Sequence, residues 1–178
     1  QGVFHEALNL AVIWELPLVL VCENNLYSEM TPSRETTSVA DTYKRAEGYG
    51  LKALQVDGND LVAVLEAMRR AHERARSGQG GSVIEFMTYR LHDHTTADDA
   101  RRYREDSEVK AAWEKEPFLR LRKFLTDQKL WDEAQEKAWI EECGKLVDVE
   151  INAYLETPVQ PVEAMFDYTY AELPPDLV

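Results

Sequence analysis

Directly after Pro17 the chain runs Leu18-Val19-Leu20-Val21-Cys22, and this short apolar run most narrows what it can fold into. Consecutive apolar, mostly branched residues do not alternate as a half-exposed strand would. They read as a strand buried on both faces, as in a parallel sheet covered by helices. The surrounding pattern agrees. Residues 3–14 place Phe4, Ala7, Leu8, Ala11 and Val12 on one helical face, and Pro17 ends that helix. Residues 23–38 are polar, with Asn24-Asn25, Thr31-Pro32 and Ser33, and read as a loop. A second helix is predicted over 39–49, stopped by Gly48 and Gly50, and a strand over 51–56. Asp57-Gly58-Asn59-Asp60 then reads as a turn capping a helix over 61–76, with Leu61, Val62, Leu65, Met68 and Ala71 on its apolar face. Gly78, Gly80 and Gly81 close that helix, and 82–88 is a third strand. Strand alternating with helix across short connections predicts an α/β fold built on a doubly wound parallel sheet. In such sheets the loops leaving the carboxyl ends of the strands form the ligand crevice, and two of them here, 23–38 and 89–104, are unusually polar.

The charge divides the chain. Residues 1–104 hold 15 acidic and 12 basic side chains, residues 105–178 hold 18 and 8, and the whole carries −13. Past residue 104, long charged segments with apolar residues at helical spacing predict helices over 107–113, 117–126 and 132–154 and a weaker one over 162–170. The expected organisation is a partial α/β domain over 1–104 followed by a helical carboxyl-terminal arm over 105–178. The acidic balance argues against nucleic acid or an anionic membrane as partner. The longest unbroken apolar run, Leu16 to Cys22, is far too short for a bilayer span. No secretory leader is visible, and Cys22 and Cys143 lie too far apart for a metal-like spacing. A cytoplasmic compartment, or a mitochondrial matrix, fits best.

As an ordered set, several stretches are distinctive. Gln1-Gly2, His5-Glu6-Ala7-Leu8-Asn9, Trp14-Glu15-Leu16-Pro17 and Val21-Cys22-Glu23-Asn24-Asn25 come first. Val56-Asp57-Gly58-Asn59-Asp60, Tyr89-Arg90, the run from His94 to Asp99 and Arg102-Tyr103-Arg104 follow. Glu116 to Arg122 and Phe166-Asp167-Tyr168 complete the set. Together they resemble the alpha subunit of the thiamin diphosphate-dependent 2-oxo acid dehydrogenase decarboxylase component. The first group is similar to the latter part of that family's cofactor motif. Its opening Gly-Asp-Gly has no counterpart in these residues, so the resemblance implies the carboxyl-terminal portion of such a subunit.

The resemblance carries expectations for single residues. Thiamin diphosphate is held through a magnesium ion (Mg2+), a hard cation that takes oxygen ligands in octahedral geometry. By position, Asn25 would give its amide oxygen and Tyr27 its backbone carbonyl, while the family's Asp ligand lies in the missing triplet. From spacing alone, Asn24-Asn25 equally suits a plain turn. His94 matches a histidine beside the cofactor that handles substrate or acyl intermediate, a role suited to a side chain titrating near neutrality. From spacing alone it is a solvent-exposed loop residue. The 90–104 loop would order over the cofactor and help dock the lipoyl-bearing acyltransferase. Thr95 stands where mitochondrial relatives have a phosphorylated Ser, so kinase control is not expected. Arg69, Arg70, Arg74 and Arg76 interleave with Glu66 and Glu73 and read as a solvated helix face. Trp113, Trp131 and Trp139 read as packing residues, and Cys22 as core.

The implied activity is oxidative decarboxylation of a small 2-oxo acid, pyruvate before branched-chain acids or acetoin, with acyl transfer to the lipoyl partner. The family works as a heterotetramer with a beta subunit that supplies the glutamate activating the cofactor. A second reading, from a different class, is a truncated or split-gene piece with only a structural or assembly role.

Overall fold

A computed structural model describes residues 2–167, 169–172 and 174–177. Gln1 and Tyr168, both part of the resemblance above, lie outside the described residues. The chain forms two compact units, Gln1–Gln128 and Lys129–Val178.

The first unit is built on a parallel sheet. Helix α1 (Gly2–Ile13) leads into strand β1 (Val19–Asn24). A small hairpin of β2 (Tyr27–Ser28) and β3 (Thr31–Pro32) and the short helices α2 (Ser33–Thr36) and α3 (Lys44–Glu47) precede β4 (Lys52–Asp57). Helix α4 (Leu61–Arg76) and strand β5 (Ser82–Met87) complete a parallel β4–α4–β5 unit. The strand order is β1-β5-β4, so the last strand in sequence is central, and every residue of it but Met87 is buried. Helices cover both faces. Leu8 of α1 and Ala46 of α3 pack with Val83 and Leu51 on one side, and Ala67 and Ala71 of α4 pack with Ile84 and Phe86 on the other. The register sets Asn24, Met87 and Asp57 in one row at the carboxyl edge.

Four expectations need correction. β1 is an edge strand among the described residues, and Val21 is 45% exposed, so it is not buried on both faces as its apolar run suggested. The α4 bounds agree with the sequence reading, and Met68 and Ala71 of its expected apolar face do pack on the sheet, but Ala67 and Ala75 complete the buried face while Leu61, Val62 and Leu65 face outward. Small side chains allow the helix axis close to the sheet, which counts for more here than the bulk of the apolar residues. The helix expected over 39–49 shrinks to α3, because the Tyr43 N–H is donated to the Glu85 carboxylate at 3.2 Å rather than into a helical turn. The helix expected over 162–170 is a 3-10 turn, Val162–Met165.

Two turns show why the sheet closes as it does. Asp60 caps α4 by accepting from the N–H groups of Val62 and Ala63 at 3.0 and 3.1 Å. Gly81 leaves no space for a side chain, since a Cβ there would lie 2.8 Å from the Leu18 carbonyl oxygen. Beyond the sheet, α5 (Asp106–Trp113) and α6 (Pro117–Asp127) belong to the same unit. Arg120 of α6 bridges Asp57 and Asp60 at 2.7 and 3.0 Å, tying that helix to the start of α4. The second unit contains α7 (Glu133–Glu156), opened by a capping box in which Asp132 and Gln135 bond each other's backbone N–H groups.

Candidate functional site

At the carboxyl end of β1 the chain turns twice on asparagine side chains. Asn24 Oδ1 accepts from the Leu26 N–H and Asn25 Oδ1 from the Tyr27 N–H, each at 3.1 Å. These are side-chain-closed turns of the kind Asn forms readily. Leu26, between them, has a φ of 70°. That left-handed conformation costs a side-chain-bearing residue about 1–2 kcal/mol and persists only where the surroundings enforce it. Enforcement comes from both sides: the Thr88 N–H, just past β5, is donated to the Asn24 carbonyl at 2.9 Å, and the Ser33 N–H at the start of α2 to the Leu26 carbonyl at 2.8 Å.

Behind the turn sits Glu85, in the middle of the central strand and fully buried. Its Oε1 accepts from Asn24 Nδ2 at 2.8 Å, and its Oε2 accepts from Gln55 Nε2 at 3.1 Å and from the Tyr43 N–H. Burial works to raise its carboxyl pKa, but the donations from Asn24, Gln55, Tyr43 and Thr42 outweigh it and hold the group below the usual carboxylate range. Cys22, its register neighbour, is half-buried rather than core as the sequence suggested, and its thiol is pushed up by burial and by the Glu85 and Glu23 charges.

In front of the turn lies a polar hollow of about 320 Å³, whose lining includes Glu23, Asn25, Tyr27, Ser33, Thr37 and Thr42. Asn25 and Tyr27, picked out from the sequence, are thus brought together. Asn25 Oδ1 accepts one hydrogen bond and keeps a second lone pair for a ligand. No group of three or more His, Cys, Asp or Glu side chains placed to hold a metal occurs among the described residues.

His94 does not line this hollow. It is exposed on the 89–104 loop, with its N–H donated to Asp98 Oδ2 at 2.9 Å. The loop is tied down by its own side chains. Asp98 also accepts from the Tyr103 hydroxyl at 2.5 Å, which holds the Asp98 carboxyl below its ordinary range, and Asp93 accepts from the Ala100 N–H at 3.0 Å. Arg101 pairs with Asp99 at 2.8 Å. The Asp99–Arg101 pair is of the kind the sequence reading expected here, while Asp93 accepts from a backbone N–H instead of an arginine.

Three further residues were given no individual role by the sequence reading. Arg104 is only 6% exposed and lies 5.5–5.9 Å from the rings of Tyr27, Tyr89 and Tyr103. It also donates to the carbonyls of Arg90 and His92. Arg90 stacks over Tyr27 and Tyr103 and donates to the Tyr103 hydroxyl at 2.7 Å. Glu108 of α5 accepts from the Tyr27 and Tyr89 hydroxyls at 2.7 and 2.8 Å. Aromatic faces compensate the two guanidiniums for lost water. Burial, then the bond to Glu108, raises the Tyr27 hydroxyl pKa well beyond the usual tyrosine range. Tyrosines spaced through a basic loop were the available signal. Glu85, an acidic residue inside the apolar run of 82–87, was another.

Known proteins give this geometry a context. The family described as Dehydrogenase E1 component matches residues 1–163. The pyruvate dehydrogenase E1 component subunit alpha of Mycoplasma genitalium is 39% identical over 100% of this chain and 50% of its own length. Proteins of the same name from Staphylococcus aureus and Staphylococcus epidermidis are 37% and 38% identical over 99% of this chain and 48% of theirs. The chain spans about half the length of the curated relatives it matches. With a family match over most of its residues, this chain belongs to the dehydrogenase E1 component family.

Proposed function

We propose that this chain is the part of a 2-oxo acid dehydrogenase alpha subunit that receives the diphosphate end of thiamin diphosphate through Mg2+. One observation carries the reading: Asn25 and Tyr27, joined by the Tyr27 N–H bond to Asn25 Oδ1, both line a polar hollow at the carboxyl end of a parallel strand, where α/β sheets place their ligands. Neutral amide and main-chain oxygens suit a hard cation whose remaining ligands come from phosphate and water. The cofactor, when bound, supplies the electron sink for decarboxylation. Asn25 and Tyr27 would hold the metal, and His94, on the loop that follows β5, would move a proton on substrate or acyl group. The three strands then form part of a doubly wound sheet, with residues 1–104 as the cofactor-binding region and 105–178 as its helical extension.

The proposed whole is an alpha–beta heterotetramer acting on pyruvate and passing the acyl unit to a lipoyl-bearing acyltransferase; the names of its relatives support the alpha-subunit and pyruvate parts of this reading. Its proposed setting is the bacterial cytoplasm. Both cysteines are free, and no described helix is long and apolar enough to cross a membrane.

The test is calorimetric titration of Mg2+ and thiamin diphosphate into the full-length protein, with and without EDTA. Asn25→Ala should weaken Mg2+-dependent cofactor binding about 10- to 100-fold, the scale of a lost contact to a charged group. His94→Ala should lower turnover and leave cofactor affinity intact. Unchanged cofactor affinity in Asn25→Ala would refute the assignment.

A further inference from the structure

Glu85 performs none of the roles assigned so far, yet a fully buried carboxylate in the central strand demands a reason. No cationic partner is among its hydrogen-bond donors, which are Asn24, Gln55, the Tyr43 N–H and Thr42. The Asn24 contact is the informative one. The two residues are 61 apart in sequence, and the Asn24 side chain is fixed at both ends: Nδ2 to Glu85 at 2.8 Å and Oδ1 to the Leu26 N–H at 3.1 Å. Turning that amide over would set its oxygen against the carboxylate and its NH2 against the Leu26 N–H. The carboxylate therefore dictates which way Asn24 points. Asn24 holds Leu26 at its φ of 70°, and Leu26 sits between the two candidate ligands.

We propose that Glu85 is a positioning residue which, through Asn24, sets the geometry of the Asn25 amide oxygen and the Tyr27 carbonyl toward a divalent cation. The inference rests on the metal-site reading above and adds a buried acceptor to it. Outer-shell groups of this kind align metal ligands that are otherwise free to rotate.

Reversing the polarity of the pair tests this. In Glu85→Gln the single remaining oxygen can serve Gln55 and Tyr43 only by turning the new NH2 toward Asn24 Nδ2, donor against donor. Adding Asn24→Asp supplies a carboxylate that accepts both from that NH2 and from the Leu26 N–H. The full-length protein, stripped of cofactor, is titrated with Mg2+ at saturating thiamin diphosphate, and each variant is melted without ligand.

Glu85→Gln should weaken Mg2+ affinity about tenfold or more, the lower end for an outer-shell partner. Asn24→Ala should do the same, and Glu85→Gln with Asn24→Asp should recover most of the loss. If Glu85→Gln does not fold, Asn24→Ala and the double variant carry the test. Wild-type Mg2+ affinity in folded Glu85→Gln or Asn24→Ala would overturn the proposal, as would a folded double variant no better than Glu85→Gln. Asn25→Ala separates the two levels. If it weakens Mg2+ binding while the Glu85 and Asn24 variants do not, only the positioning role falls; if it too binds normally, the metal site falls with it.

Discussion

The two compact units solve the burial problem in opposite ways. In Gln1–Gln128, helices on both faces of a parallel sheet bury Leu8, Val83, Ile84 and Phe86. In Lys129–Val178, the 24-residue helix α7 has no buried residue and turns Trp139, Ile140, Leu146 and Tyr154 outward, Tyr154 at 78% exposure. α4 and α7 are both long, charged and well capped, so helix propensity does not separate them. What separates them is a sheet: α4 has one to lie on, and α7, within its own unit, does not. Most helical stability in proteins comes from such packing rather than from propensity.

The largest effect should come from testing burial directly. Ile84→Ala, in the central strand, should lose about 2–5 kcal/mol, whereas Ile140→Ala on the exposed face of α7 should change stability by about 0.5 kcal/mol or less. Urea unfolding of the two variants, followed by circular dichroism, measures both. Equal losses would break the contrast. Caps come next. Asp60→Ala and Asp132→Ala each remove a side chain that accepts an N–H at its helix start, for about 1 kcal/mol apiece. Asp60→Ala should cost more, because it also frees Arg120 from one of its two carboxylates. Equal shifts would mean that the α6 tether contributes nothing.

The smallest effect lies on the solvent face of α4. The Arg69 and then the Arg70 guanidinium hold the Glu66 carboxyl at about 2, against its ordinary 4.5. A depressed carboxylate pKa favours the folded state above the ordinary value, and that contribution fades as pH falls through about 2. NMR titration of Glu66 should move back toward 4.5 in Arg69→Ala, with little change in melting at neutral pH. An unmoved Glu66 would show that Arg69 does not hold it.

Much of this was legible in the chain. The α4 bounds, the Asp60 cap and the ion-paired Glu66–Arg69–Arg70 face follow from signals within one or two turns of chain, so local sequence contains them. Asn25 and Tyr27 were chosen through the family resemblance; their local pattern by itself read only as a turn, which the structure closes by side-chain bonds spanning two residues. The errors fall where distant residues intervene. The segment over 39–49 has helical spacing, but Glu85, 42 positions from Tyr43, claims the N–H that would have continued the helix. The α4 face was misjudged because bulk was weighed and closeness to the sheet was not. The burial of Arg104 was only partly signalled, because Tyr89 and Tyr103 share its loop but Tyr27, which completes the cluster, comes from a distant stretch.

By itself the sequence determined the alternation of strand and helix, the positions of caps and turns, and the two polar loops at the strand ends. These depend on periodicity and on side-chain bonds to nearby backbone, which short segments specify. Only the tertiary structure decided that the last strand lies at the centre, that Glu85 reaches Asn24 across 61 residues, and that two arginines settle among three tyrosine rings. Such contacts become favourable only once the intervening chain has been ordered and water driven out, and no local pattern records which distant partner will be waiting there.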